Sequence, residues 1–409
     1  MSSFDTHLRS SMFLFAVASA AACSSSNGTT SAGDAGSSDS GSPQAPNGFG
    51  PIGMKEAGSD APHSYLLPFT PSNVPAPDLS TVGDVTITGN CTIDTDMKQF
   101  DDDCGIPTGA DGEVPYTFSS APQSDPSQSK VTILAVRSLT VSPSAQLQVQ
   151  GGVPLVVVAA TTASIQGTVT AQAGGFTCST QGQGSGPGGG GGEPSFASEV
   201  GGGGGAYCGI GGSGANATQA GGAATPGGQA YGTQAIVPLL GGSAGGASPG
   251  GQSGGSGGGA IQISAGVSII VGSGGAVSAP GGGAGIDYSV GGGSGGAILL
   301  EAPTVDVEGV LAANGGAANG GSDPTRAPGG LPNSNPAAQT GQPEAGVGSA
   351  GGNVNGGNGS VTPNGIGGGG GGAGRIRINT KTGVATIGSN ATTSPATSTQ
   401  CVSQGTLAH

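Results

Sequence analysis

Segments that need burial alternate in this chain with packets of glycine that offer nothing to bury. In GGGSGGAILLEAPTVDVEGVLAANGG, residues 291–316, a strand-like stretch lies between two such packets. The arrangement recurs. At one fixed offset, VVVAATTASIQGTVTAQAGG (156–175) matches ILLEAPTVDVEGVLAANGG (298–316). Val156, Val158 and Ala160 then fall on Ile298, Leu300 and Ala302, and Ile165, Gly167 and Val169 fall on Val307, Gly309 and Leu311. A third copy spans 260–282, with three extra residues before Gly275, and a fourth, less complete, spans 375–388. Each unit reads as a strand, a bend, a second short strand and then glycine. One unit cannot bury its apolar row alone, whereas stacked copies can.

Two details extend this reading. Runs such as Val156-Val157-Val158 and Ile298-Leu299-Leu300 are apolar on both faces, which suits parallel strands covered on both sides. The glycine-rich insertions, 174–259, 281–296 and 315–374, leave every copy at the same place, so stacked copies would send them out along one edge. Without side chains these excursions can pack as extended threefold helices of the polyglycine II kind. They can equally be disordered loops; apolar punctuation such as AYCGI and TQAIVPLLGG favours order. The expected fold is all-β, a parallel β-helix or solenoid with long glycine-rich insertions. The alternative is an antiparallel β-sandwich with disordered loops. No stretch after the N-terminal segment shows a helical period.

Composition removes several functions. Glycine supplies 90 of 409 residues and charged residues only 8%. The missing Gly-X-Y period excludes collagen. With nine Lys and Arg and a formal charge of -14, the basic footprint of a nucleic-acid binder is absent.

Residues 1–22 read as an export signal, with Arg9 before the apolar run Met12–Ala22. That run ends at Cys23 and gives way to SSSNGTTSAGDAGSSDSGS. It resembles a bacterial lipoprotein signal, with Ala20 where leucine is usual; the resemblance implies cleavage before Cys23 and acylation of its thiol. Residues 23–79 read as a flexible tether, 80–130 as a cysteine-containing cap, 131–389 as the solenoid and 390–409 as a tail. In an oxidising compartment the remaining cysteines favour disulfides. Neighbour pairing gives Cys91–Cys104 and Cys178–Cys208, with Cys401 left over.

The GGGSGGAI…VxVxGxLxANGG units behind a serine-rich tether resemble the glycine-rich surface lipoproteins of myxobacteria. In composition alone the loops are similar to mycobacterial PE-PGRS proteins, and the insertions resemble the polyglycine-helix bundles of certain phage adhesins and of the anaplastic lymphoma kinase ectodomain. The resemblance covers about residues 80–390. It implies a parallel β-helix or related all-β solenoid at the cell surface, with no known activity. With the lipid signal at Cys23, the expected place is the outer membrane or cell surface, and the expected partners are the membrane, through the anchor, and a cell-surface or matrix polymer.

Residues for catalysis are few. GGSGG at 254–258 and 292–296 fits GxSxG only as part of a glycine run, since no helix follows to build a nucleophile elbow. After the signal segment the histidines are His63 and His409. CTIDTDMKQFDDDC gathers Asp94, Asp96, Asp101, Asp102 and Asp103 between two cysteines, weak candidates for Ca²⁺, which takes about six to eight oxygen ligands. Lys98 and Gln99 break the EF-hand pattern, and the reading preferred is a solvated acidic loop. GGAGIDYSV (282–290) nearly repeats the calcium-binding nonapeptide, with Ser289 where a large apolar residue belongs. Asp306 and Glu308 lie two apart, outward if Val305 and Val307 point inward. Arg375 and Arg377 read as outer-face charges that protect a terminal strand. No catalytic residue and no cofactor is expected. The function expected is non-enzymatic, structural or adhesive; the alternative is a lyase or glycosidase acting on extracellular polysaccharide.

Overall fold

The computed structural model describes residues 66–408 apart from 102–103, 107–113, 124–129, 173–185, 192–199, 218–223, 248–252, 286–288, 322–324, 339–341 and 364. The chain divides into units 1–59 and 60–409, and the described residues all belong to the second. They form an all-β structure of mostly parallel sheets, with no α-helix among them.

The chain passes repeatedly through the same three sheets. The first pass has β1 (Asp84–Ile87), β2 (Asn90–Asp94), β3 (Gln99–Phe100) and β4 (Tyr116–Ala121). The second has β5 (Val131–Val136), β6 (Ser138–Val141) and β7 (Gln146–Gln150); the third has β8 (Leu155–Ala159), β9 (Thr162–Ile165) and β10 (Thr168–Ala171). Next come β11 (Ala260–Ala265), β12 (Ser268–Val271) and β13 (Ala276–Ser278), then β14 (Ala297–Glu301), β15 (Thr304–Val307) and β16 (Val310–Ala312). A small hairpin, β17 (Val361–Thr362) and β18 (Gly365–Ile366), precedes β19 (Arg375–Thr380), β20 (Thr386–Ile387), β21 (Thr392–Ser394) and β22 (Val402–Thr406). Sheet A has the order β1-β6-β9-β12-β15-β20, sheet B β21-β16-β13-β10-β7-β2-β3 and sheet C β22-β19-β14-β11-β8-β5-β4.

Successive passes pair in register. Val169 pairs with Val277, and Val277 with Leu311. In sheet C, Leu134, Val157, Ile263, Leu300 and Ile378 form one inward column. Period-two alternation sends every second side chain inside, and those of all three sheets meet in one core. The antiparallel sandwich is thereby excluded: within sheets A, B and C, β3 and β4 are the antiparallel members. These two strands close one end, where Phe100, Tyr116 and Phe118 cluster with ring centroids 4.8–5.5 Å apart.

Three expectations change. Each unit holds three strands, not two, because the bend at Gly167 and Gly309 separates strands of sheets A and B. In the first strand the true register differs by one residue: Val156 shares a layer with Leu299 rather than Ile298, through Gln262. A one-residue slip exchanges the two faces of a strand; here both faces are apolar, so the sequence pattern does not reveal it. The ends are also longer than expected. Residues 66–79, assigned to the tether, bury Phe69, Val74 and Leu79, and the tail assigned to 390–409 contains β21 and β22.

The insertions leave between sheets B and C and run beside one another. In 201–206, successive N–H groups turn to three neighbours in rotation. Gly201 and Gly204 donate to Ala215 and Gly212, Gly202 and Gly205 to Ser289 and Gly292, and Gly203 and Ala206 to Gly191 and Gly188. Segment 367–374 repeats this: Gly367 and Gly370 donate to Ser360 and Gly357, Gly368 and Gly371 to Asn319 and Gly316, and Gly369 and Gly372 back to Gly202 and Gly205. Segment 291–296 completes the triangle, Gly292 and Gly295 donating to Gly369 and Gly372. Glycine is required by proximity. A Cβ on Gly204 would lie 1.9 Å from the carbonyl oxygen of Gly370, and one on Gly371 would lie 1.9 Å from that of Gly293.

Candidate functional site

Sheet C carries the densest polar cluster, and it lies on the outer face. Pairing aligns Ser264, Glu301 and Asn379 in one column, with Gln262 one column away. Residues 66–82 cross this face as a strap. Glu301, 1% exposed, accepts five hydrogen bonds. Oε1 takes Ser72 Oγ (2.5 Å) and Asn379 Nδ2 (2.9 Å). Oε2 takes Ser72 N (3.1 Å), Gln262 Nε2 (2.8 Å) and Ser264 Oγ (3.1 Å). Asn73 Nδ2 donates to Gln262 Oε1 and to the Ile236 carbonyl, both at 3.0 Å. Around this network Val74, Leu79 and Val82 of the strap pack with Val156, Val158 and Leu299 of the sheet and Ile236 and Leu239 of the first insertion. A buried carboxylate so fully engaged is a fastening. It has neither a free lone pair nor access for a substrate.

Beside it, Arg375 lies 5.4 Å from the Tyr207 ring centroid and donates to the Tyr231 carbonyl (Nη2, 2.7 Å). Burial lowers the affinity of Arg375 for its proton, opposed by the two tyrosines, and pushes both tyrosine hydroxyls upward. Arg375 and Arg377 do not protect a terminal strand, since β22 pairs beyond β19. Arg375 seals the first insertion against the sheet, and Arg377 bonds Asn379 and Ser403.

The acidic loop disperses. Asp94 Oδ1 accepts from the N–H groups of Asp96 and Met97, Asp96 Oδ2 from Gly152 N, and Asp101 Oδ1 from Thr92 N. Each carboxylate holds backbone, and the three do not converge on one point. Asp102, Asp103 and Asp287 lie outside the described residues, as do Cys23, His63, Cys178 and His409. Cys91, Asp101 and Cys104 are close enough to share a metal, but Cys91 and Cys104 are joined as a disulfide, which removes the thiolates a metal needs. Cys208 pairs with Cys401, 193 residues away, and not with Cys178. This bond ties the first insertion to the turn that enters β22. Ser294 of GGSGG is fully buried, donating to the Ala206 carbonyl, so it is no nucleophile.

Val305 and Val307 point inward and are buried. Asp306 faces outward on β15, while Glu308 sits at the corner after it, its N–H bonded to the Val271 carbonyl. Asp306 belongs to the exterior of sheet A, where outward residues form two columns. Ser138, Thr162, Ser268 and Thr304 are in register after Asp84. Thr86, Thr140 and Ser164 are in register with one another, then Ile270, Asp306 and Thr386. These side chains are exposed or half-buried. Arg137 pairs with Asp84 through Nη2 and through Nε at 2.8 Å, and this guanidinium holds the Asp84 carboxyl down at about 2. Sequence reasoning missed the strap, the Glu301 fastening and these columns. Only the columns had a signal there, the polar residue at every second position of SLTV, TASI and TVDV. No protein family, curated protein or solved structure matches this chain.

Proposed function

We propose that this is an exported, lipid-anchored, non-enzymatic protein of the cell surface, structural or adhesive in role. In this reading its body is a parallel β-helix flanked by a polyglycine II bundle. The observation that carries the reading is the threefold rotation of donors in 201–206, 291–296 and 367–374. It turns the low-complexity insertions into a second rigid layer fused to the sheets. Such a body suits load and display. The lipoprotein-type run ending at Cys23, with a serine-rich stretch behind it, supplies attachment. A glycosidase canonically sets two carboxylates across the scissile bond; Glu301 is sealed under the strap and Asp306 is a half-buried residue on the exterior of sheet A.

The test is labelling of the expressed full chain with a clickable fatty acid, together with protease treatment of intact cells. Labelling that disappears in Cys23→Ser, with release of that variant from the envelope, is expected. An unlabelled parent chain, or a Cys23→Ser variant that stays attached and surface-exposed, contradicts the anchor.

A further inference from the structure

We infer that the exterior of sheet A is the contact surface and that its partner is a neutral, extended polysaccharide. The inference rests on the adhesive reading and names what would be held. Of the three sheets, C is closed on its outside by the strap and the first insertion. Sheet B has one outer column open, with Asn90 and Gln146 exposed, but Ser278, Ala312 and Ser394 close half of the other. Sheet A keeps its columns open, with Thr86, Thr304 and Thr386 exposed.

The chemistry of those columns selects the partner. Hydroxyls recur about every 4.8 Å from strand to strand and about every 6.6 Å between columns, over a face about 24 Å long. The Asp84 carboxylate is occupied by Arg137 and Ser138, leaving Asp306 as the remaining carboxylate in the columns. Such a face has no cationic field to hold a polyanion. Its outward residues include no aromatic ring, so stacking is not its mode either. What it offers is a ruled array of donors and acceptors, with apolar Ile270 and Val267 exposed beside them. An extended β-linked glycan presents hydroxyls and C–H faces at nearly the interval of the strands. Laid along the stack, it meets a Ser or Thr on most of them. Each bond is worth only about 1 kcal/mol, so affinity comes from many contacts on one rigid frame.

Co-sedimentation of the detergent-purified full chain with microcrystalline cellulose and with chitin tests this. The parent is expected to sediment with at least one of them, and Thr140→Glu combined with Thr304→Glu to weaken binding at least about tenfold. Gln146→Glu combined with Thr392→Glu, the same charge change on sheet B, should leave binding unchanged. If the sheet A double variant does not fold, the single Thr162→Arg variant carries the same expectation with a loss of about threefold. No sedimentation with either glycan overturns the inference, as does equal loss in both double variants. Retention on alginate alone, abolished by salt, also overturns it in favour of an ionic partner. Failure here leaves Cys23 acylation intact, and failure of acylation leaves glycan binding measurable, so the two readings fail separately.

Discussion

The stacked sheets and the glycine bundle beside them are ordered by opposite means. In the sheets, order comes from side chains: Leu134, Val157, Ile263, Leu300 and Ile378 touch in one column, and the period is two. In the bundle, order comes from their absence. Gly204 and Gly371 approach neighbouring carbonyls too closely for any Cβ, and the period is three. Hydrophobic burial drives the first region. The second offers little apolar area and depends on completing every backbone hydrogen bond in a dry interior. A chain can therefore build a rigid layer from a composition usually read as disorder, provided a stacked frame supplies the alignment.

That contrast breaks most sharply under substitution. In the bundle, adding atoms is the damage. Gly371→Val should destabilise by about 3 kcal/mol or more, because the Gly293 carbonyl must move and drag its bonded neighbours. In the sheets, removing atoms is the damage, and Leu300→Ala should cost about 2–5 kcal/mol. Gly352, whose Cβ position has nothing within 4 Å, should accept Ala within about 0.5 kcal/mol. Urea unfolding of the three variants measures all of this. Equal tolerance at Gly371 and Gly352 would erase the distinction between the regions.

The smallest effect lies on the open face of sheet A. Asp84 is held at about 2 in the folded chain against an ordinary 3.8, chiefly by its bond to Arg137. A depressed carboxylate stabilises above its unfolded value and loses that contribution as pH falls through the folded one. The pair is nearly half exposed, so the contribution is under about 1 kcal/mol. Arg137→Ala should flatten the dependence of stability on pH between 4 and 2 and leave stability at pH 7 within about that amount.

Much of the sheet region was legible from the sequence, because inward positions such as Val169, Val277 and Leu311 keep their spacing to glycine. What was not legible has physical causes. The register of Val156 was hidden because sheet C is covered on both faces. The division of each unit into three strands was hidden by their brevity, β16 being only Val310–Ala312. The strap places Phe69, Val74, Leu79 and Val82 without any period, and nothing local links Cys208 to Cys401. In the insertions the sequence allowed both order and disorder, since glycine carries no pattern of faces. The partners of each N–H decide between them, and they are set by neighbours far along the chain.

Amide hydrogen exchange measured on the glycine segments tests the central claim most directly. The account predicts that 201–206, 291–296 and 367–374 exchange as slowly as β11 and β14 of sheet C, because each N–H is bonded within a buried bundle. Exchange in those segments at the rate of an unstructured chain, with sheet C still protected, would contradict it.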